Sequence, residues 1–332
     1  MIKSNKHIEI ARTTNLPFSS MEMKSCVMIQ KILKDYYVHV GISIVNDMEG
    51  LEQLVAKKPD LVFLGLKRLP QDAAPKLSPA EDVWISEYLD SKGVNYTGST
   101  RVAIELDFNK ESAKIKVNQA GLPTAEFFTA LPGQHKDKLD LPLRFPLFVK
   151  PLDAGGGKGI GNDSVVTNFY EFQRKVRSIF NELGSGSLVE SYLTGREFSV
   201  AVLDSGDQEL IVMPVELIAQ EDANGHRILG SQVKTNDTER VVAVEDAQVH
   251  SMISLLAKDI YLTLGARDLG RIDIRMDGAG DAYFLEANFV PGLKGYFRRA
   301  CLINEGMDYK NLILNITELG LARNAEKSLV IR

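Results

Sequence analysis

Two features of the chain predict an α/β protein whose second half turns α+β. Strands and helices alternate through the first hundred residues, around an apolar run, Asp60-Leu-Val-Phe-Leu-Gly-Leu66, that reads as a fully buried strand. The second half instead carries antiparallel-type strands at Ser187–Tyr192, Glu197–Leu203 and Glu209–Leu217. The alternation implies a doubly wound parallel sheet with helices on both faces. At 332 residues the chain is too long for one ordinary core. Three units, 1–100, 101–192 and 193–332, are expected.

Helical spacing marks 21–35, and Val38–Ile44 is a strand. A helix at Met48–Lys57 precedes the apolar run. Glu81–Ser91 reads as helix and Val94–Gly98 as a short strand ending in a turn. One helix is expected over Asp107–Ala120, stopped by Gly121-Leu-Pro123. Residues 132–146 hold three prolines and read as loop, followed by the strand Phe145–Pro151. A long helix, Ala247–Leu264, leads into two strands joined by Asp277-Gly-Ala-Gly-Asp281, and a helix near Tyr309–Leu321 closes the pattern. No repeat or low-complexity tract interrupts it.

Composition narrows the function. Hydrophobic residues make up 44% and charged residues 25%, the balance of a soluble globular protein. A net charge of −5 gives no general attraction to nucleic acid or a membrane surface. No apolar run of about 18 residues is present, and the start lacks the apolar stretch of a signal peptide. Cys26 and Cys301 lie far apart among apolar residues, as free thiols of a reducing cytoplasm would.

Chemistry concentrates in Arg271-Ile-Asp-Ile-Arg-Met276 and Phe284-Leu-Glu-Ala-Asn-Phe-Val-Pro-Gly292. Alternation sets Asp273 opposite Ile272 and Ile274, and puts Glu286 and Asn288 on one face. Two carboxylates and an amide oxygen form a hard, all-oxygen set suited to Mg²⁺. The plain alternative is an amphipathic hairpin with a wet face, but these strands read as buried and Arg271 stands beside the acids.

Lys150 ends a strand, and Asp153-Ala-Gly-Gly-Gly-Lys-Gly-Ile-Gly161 follows at once. Successive glycines can turn backbone N–H groups toward phosphate oxygens. A Walker loop is excluded because Lys158 precedes Gly159 rather than Ser or Thr. The dinucleotide fingerprint does not fit these glycines in register. Coupled to a strand-end lysine and the oxygen set, the loop points to a nucleoside triphosphate with Mg²⁺. In Leu188-Val-Glu-Ser-Tyr-Leu-Thr-Gly-Arg-Glu-Phe198, Glu190 and Glu197 could grip a base amino group and a ribose hydroxyl, though surface acids at a crossover are the ordinary reading.

The segments NYTGS, FVKP with GGGKGIG, VESYLTGREFSVAVL, LGRIDIRM and FLEANFVPGL, in this order, resemble the ATP-grasp fold and, within it, the D-alanine–D-alanine ligase family. The resemblance runs from about Val94 to Leu321. It implies an ATP-grasp fold: an amino-terminal parallel-sheet domain, a central subdomain carrying the glycine lid, and a carboxy-terminal subdomain with the metal and oxyanion site. It further implies that Lys110 and Lys150 contact the α- and β-phosphates beneath Gly156 and Gly157. Glu190 and the backbone at Leu193 would hold adenine, and Glu197 the ribose. Asp273, Glu286 and Asn288 would hold two Mg²⁺ ions, for which Mn²⁺ can substitute. Arg271 and the Gly292 amide would stabilise the oxyanion, and Lys234 would bind the acceptor carboxylate and the transferred phosphate.

By this resemblance the reaction is ATP- and Mg²⁺-dependent joining of a carboxylate to an amine through an acyl phosphate. The partners are small molecules; neither nucleic acid nor membrane is expected, the setting is cytoplasmic, and the family often dimerises through its first domain. The amino-acid pockets depart from the family. Ser20 stands where a glutamate usually receives the first ammonium, Lys67-Arg68 replaces a His-Gly pair, and Lys294 and Arg298 follow the oxyanion glycine. These basic groups predict a substrate with an added negative or polar group. The rival expectations are an authentic D-alanine–D-alanine ligase and a non-catalytic nucleotide-binding subunit.

Overall fold

The computed structural model describes residues 2–15, 19–70, 82–206 and 209–330. Strands β1 (Ser4–Arg12), β2 (Tyr37–Ile44) and β3 (Leu61–Leu64) form a parallel sheet in the order β2-β1-β3. Helix α1 (Met23–Lys34) buries Ser25, Cys26, Ile29 and Leu33, one side of the helix, and α2 (Met48–Ala56) starts where the Asp47 side chain accepts from Gly50 N–H. Both cover the parallel sheet expected. The central strand β1 is one the sequence reading passed over. Its polar start hides it, and Glu9 interrupts the apolar pattern while remaining buried, bonded to Ser43, Lys57 and His7.

Two expectations for this region need correction. Residues 94–98 make a single parallel bridge, Val62 to Tyr96, and no strand. The Thr97 hydroxyl accepts the Leu64 N–H that a ladder would have used, and Gly98 turns the chain at φ +88°. The helix expected from Glu81 begins at Ile85 instead: β4 (Arg68–Leu69) pairs antiparallel with β5 (Val83–Trp84), and α3 is Ile85–Ser91. Glu81 itself lies outside the described residues.

The single helix expected over Asp107–Ala120 is two, α4 (Arg101–Phe108) and α5 (Lys110–Gln119). Asn109, extended at φ −101° and ψ 94°, breaks the run and caps α5 by accepting from Ser112 N–H. The break places Lys110 at the first helical position, and Lys114 follows on the same face, one turn on.

Strands β6 (Phe127–Ala130), β7 (Leu147–Pro151), β8 (Val165–Val166) and β9 (Ser187–Ser191) make an antiparallel sheet in the order β6-β9-β7-β8. Helix α6 (Phe169–Leu183) backs it with Phe172, Val176 and Ile179. The last sheet joins β10 (Glu197–Asp204), β11 (Leu210–Ile218), β12 (Arg240–Ala243), β13 (Leu269–Met276) and β14 (Ala282–Asn288) in the order β12-β11-β10-β13-β14, all antiparallel. Helix α7 (Ser231–Asn236) flanks it, and α8 (Ala247–Leu264) has the bounds the sequence predicts. Helix α9 (Tyr296–Glu305) and α10 (Tyr309–Val330) complete the chain. One core joins α8 to Phe198, Ile272, Ile274 and Phe284 beneath the hairpin β13–β14, so the hairpin's other face is set on a rigid base.

Candidate active site

The hairpin register decides which side chains meet. Arg271 lies opposite Asn288 and Asp273 opposite Glu286, so all four share one face as alternation predicts. Beyond them the pairing jumps, Ile274 meeting Phe284, so Leu285 is an extra residue in a bulge. Phe284 is thereby fully buried, while Leu285 joins Glu286 in lining a cleft.

Asp273 is held tightly. Arg271 donates to both of its oxygens, at 3.0 and 2.8 Å, and the Ser199 hydroxyl donates at 2.7 Å. Asn288 Oδ1 accepts from Lys67 Nζ at 3.3 Å and from Val290 N–H at 3.2 Å. Glu286 makes no hydrogen bond or ion pair among the described residues and faces two clefts at once. Burial works to raise its pKa, but Lys110, Lys234, Lys150 and Arg271 outweigh burial and pull the carboxyl down to about 2. Four cations converging on one free carboxylate leave a surplus of positive charge, which suits a polyphosphate.

The sign of that shift gives a test. From pH 4.5 down to about 2 the unfolded chain takes up a proton at Glu286 that the native chain does not, so this contribution to stability is present above 4.5 and is lost as pH falls across that window. Urea midpoints of wild type and Glu286→Gln should therefore converge as pH is lowered through it. A constant gap would show that the four cations do not hold this carboxyl ionised.

The first cleft is a narrow space between β7 and β9 on one side and β10, β13 and β14 on the other. Ala125, Phe148, Tyr192, Leu193, Ile228 and Leu285 supply apolar walls, and Phe148 stacks on Tyr192 at 6.3 Å. Glu190 and Lys150, both predicted from sequence, line it, but Glu190 does not stand free. Lys114, at 2.5 Å, and Lys150, at 2.7 Å, clamp it in a buried triad. Burial alone would raise the Glu190 pKa; Lys114 and Lys150 turn the shift downward. Burial pushes the Lys114 ammonium down to about 8 against the pull of Glu190. Glu197 sits at the cleft's far wall, paired with Arg275 at 2.8 Å; burial still keeps its pKa raised.

Ile160 of the glycine loop lines this cleft, while Gly155 and Gly156 border a second one. Lys110 Nζ donates to Ala154 O at 2.6 Å, and Gly156 and Gly157 adopt φ of +67° and +75°. A Cβ on Gly157 would lie 3.1 Å from Ser231 N and 3.3 Å from Gly230 C, so the loop rests on the turn that starts α7. Lys234 of α7 lines the first cleft. Gly157→Ala should lift the loop from that turn, raise the KM for ATP and speed proteolysis within 153–161. Unchanged cleavage with and without an ATP analogue would deny the loop a lid role.

A second cleft, of about 340 Å³ and more polar, adjoins through Glu286. Ser20, Lys67, Lys110, Gly156, Arg271, Asn288 and Gly292 all border it. The Ser20 carbonyl oxygen lies 3.7 Å from where a Gly292 Cβ would stand, so the amino-terminal turn meets the end of the hairpin. Lys67 is neutralised by Asp107 at 2.7 Å. Lys294 and Arg298 line neither cleft. Lys294 is exposed, and the Arg298 guanidinium stacks 5.9 Å from the Tyr309 ring centre.

The sequence reading missed Lys114, Ser199, Arg275 and Leu285. Arg275 could have been found, being two residues past Asp273 and thus on the same face. Lys114 was available as the residue one turn after Lys110. Leu285 was hidden because alternation sends it inward unless a bulge intervenes. Among the described residues no three His, Cys, Asp or Glu side chains gather as a metal-binding group; Asp273, Glu286 and Asn288 bring two carboxylates and one amide to the same face.

The family model described as D-ala D-ala ligase C-terminus matches residues 117–318, more than half of the chain. A D-alanine–D-alanine ligase of Marinomonas sp. is 27% identical over 275 residues, covering 82% of this chain and 80% of that protein. An uncharacterised protein, y4sG, of Sinorhizobium fredii is 29% identical over 245 residues, covering 71% and 69%. The crystal structure of the Bacillus anthracis D-alanine–D-alanine ligase complexed with ATP superposes with a TM-score of 0.71 at 20% identity, covering 97% of this chain and 99% of that one. That of Coxiella burnetii gives 0.67 at 18%, covering 99% and 98%. Clefts joined at Glu286, a glycine loop bordering both and the family match agree: this chain is an ATP-dependent, carbon–nitrogen-bond-forming ligase of the ATP-grasp fold and belongs to the D-alanine–D-alanine ligase family.

Proposed function

We propose that the enzyme phosphorylates a small carboxylic acid with ATP and passes the acyl group to an amine, with nucleotide in the first cleft and both substrates in the second. The observation that carries this reading is Glu286, ionised, unpartnered and open to both clefts. Base and ribose fit between the apolar walls and Glu197, with the triphosphate running toward Lys150, Lys110 and the glycine loop. Units 101–192 and 193–332 then enclose the nucleotide and 1–100 closes the substrate end.

Glu286 and Asn288, with Asp273 once Arg271 releases it, have the chemistry to hold Mg²⁺, which would neutralise phosphate oxygens. Arg271 is poised to trade Asp273 for an oxyanion, as its bidentate fork allows. Gly292 borders the same space and offers a backbone N–H. Lys234 adds positive charge from the lining of the first cleft. Phosphoryl transfer needs mainly this positioning and charge neutralisation.

No helix among the described residues is long and apolar enough to cross a membrane. A cytoplasmic enzyme, paired through its first domain, is the setting this reading proposes. Its test is ADP formation with ATP and Mg²⁺, with D-alanine and other acids as donors and amines as acceptors, scored by phosphate release and product mass. ADP release that no added carboxylate stimulates would overturn it.

A further inference from the structure

Among the described residues four carboxylates line the first cleft, and three of them are already committed. Glu190 is clamped by Lys114 and Lys150, and Asp273 takes hydrogen bonds from Arg271 and Ser199. Glu286 stands among four cations where the two clefts join. Glu197 differs. Its Oε2 accepts from Arg275, while its Oε1 has no hydrogen-bond partner among the described residues, and its side chain is 16% exposed. A largely buried acceptor is costly to leave without a donor. A phosphate cannot supply one, being itself an anion; a hydroxyl can.

Register along the sheet indicates which hydroxyl. In the β10–β13 ladder Glu197 pairs with Arg275 and Ser199 with Asp273, so Glu197 stands two residues, about 7 Å, from the acid at the phosphate end. In a nucleoside triphosphate the ribose lies at that remove, with the base beyond it, here against Phe148, Tyr192 and Leu193. Arg275 fixes the carboxylate from the facing strand. It is 6% exposed and lines both the first cleft and a third cavity, of about 350 Å³, that Glu197 also lines. One Nη donates to Glu197 Oε2 at 2.8 Å and the other to Arg227 O at 3.0 Å, and the guanidinium carbon lies 5.4 Å from the Tyr192 ring centre. Partners on three separate segments thus hold it in place. Burial works to raise the Glu197 pKa, and Arg275 is foremost among the groups that oppose it.

We propose that Arg275 is a positioning residue that holds Glu197 ready for a ribose hydroxyl, so that the enzyme selects ribonucleotides over deoxyribonucleotides. This rests on the nucleotide lying in the first cleft. With Oε2 tied to Arg275 the carboxylate cannot turn freely, and Oε1 is the oxygen left to accept the hydroxyl proton. A nucleotide lacking that hydroxyl leaves a charged, largely buried acceptor unmet, which is how a site built to hydrogen-bond a group rejects the analogue without it. Arg275 does not line the second cleft, so its loss should change nucleotide affinity and choice rather than the chemical step.

The test uses the full chain with Mg²⁺, titrated calorimetrically with ADP, 2′-deoxy-ADP and 3′-deoxy-ADP, a measurement that needs neither acid nor amine. Wild type should bind ADP about 10- to 100-fold more tightly than at least one deoxy form, the usual effect of one hydrogen bond to a charged group. Arg275→Met should weaken ADP by about tenfold while leaving that deoxy form within about threefold of wild type, so that the preference collapses. Arg275→Gln, a milder change, should lose it in the same way, and Arg275→Lys should keep part of it. In a Glu197→Ala background Arg275→Met should cost no further preference, because it acts through that carboxylate. If Arg275→Met or Arg275→Gln folds and keeps the wild-type preference, whatever its Tm, Arg275 is a prop of the sheet and the proposal is overturned. Equal binding of the three nucleotides by wild type would overturn it too. ADP bound without discrimination would leave the ligase reading standing, whereas no binding of any of the three would end both.

Discussion

Arg271→Ala and Asp273→Asn should each lower ligation by at least about 10²–10³-fold while leaving the fold intact, as loss of one well-placed electrostatic contact does. The two residues are partners at rest, with Arg271 donating to both Asp273 oxygens. Either change therefore frees the other group as well as removing its own. Arg271→Ala leaves Asp273 bonded to Ser199 alone, so the mutant site keeps its acids and loses the guanidinium proposed to hold the oxyanion. Steady-state ADP formation and phosphate release measure the loss, and circular dichroism checks the fold. Near-normal turnover in either variant would remove these residues from the chemistry.

Lys114→Met should be the most destabilising single change at the site, by roughly 3–5 kcal/mol, the usual effect of breaking a buried ion pair. Lys114 is wholly buried, clamps Glu190, and also donates to Thr124 Oγ1 at 2.6 Å and Phe284 O at 3.2 Å. It thus ties α5 to the strand that carries Glu286. Removing it leaves Glu190 with Lys150 as its remaining counter-charge, and a buried carboxylate so deprived is forced toward its protonated form. The KM for ATP should rise more than kcat falls, because Glu190 lines the first cleft, proposed to take the nucleotide, and not the second. A double change, Lys114→Met with Glu190→Gln, should recover part of the stability, since the orphaned charge is then gone. A melting temperature unchanged by Lys114→Met would refute the triad's structural weight.

Much of the site's layout is legible in the sequence. Asp273, Glu286, Asn288 and Arg271 follow from alternation along two strands joined by a tight turn. That rule holds because neighbouring side chains on a strand must point to opposite faces. Lys150 and the glycine loop were legible because a lysine at a strand end before successive glycines has few purely structural uses. The basic residues proposed for the substrate end divide. Lys67 borders the second cleft, paired with Asp107, while Lys294 and Arg298 line neither cleft. Spacing alone cannot say which way a helix start or a loop faces.

By itself the sequence determined the α/β class, the bounds of α8, and the sharing of one hairpin face by Arg271, Asp273, Glu286 and Asn288, because local periodicity and residue chemistry dictate them. Tertiary structure alone decided the rest. It split 107–120 at Asn109, where Lys110 borders the second cleft and Lys114 clamps Glu190, and it bulged β14 at Leu285. It buried Glu190 between two lysines from different elements, and it set Arg275 against Glu197. Each of these depends on contacts between residues far apart in the chain, whose electrostatic balance exists only once the sheets have closed on one another.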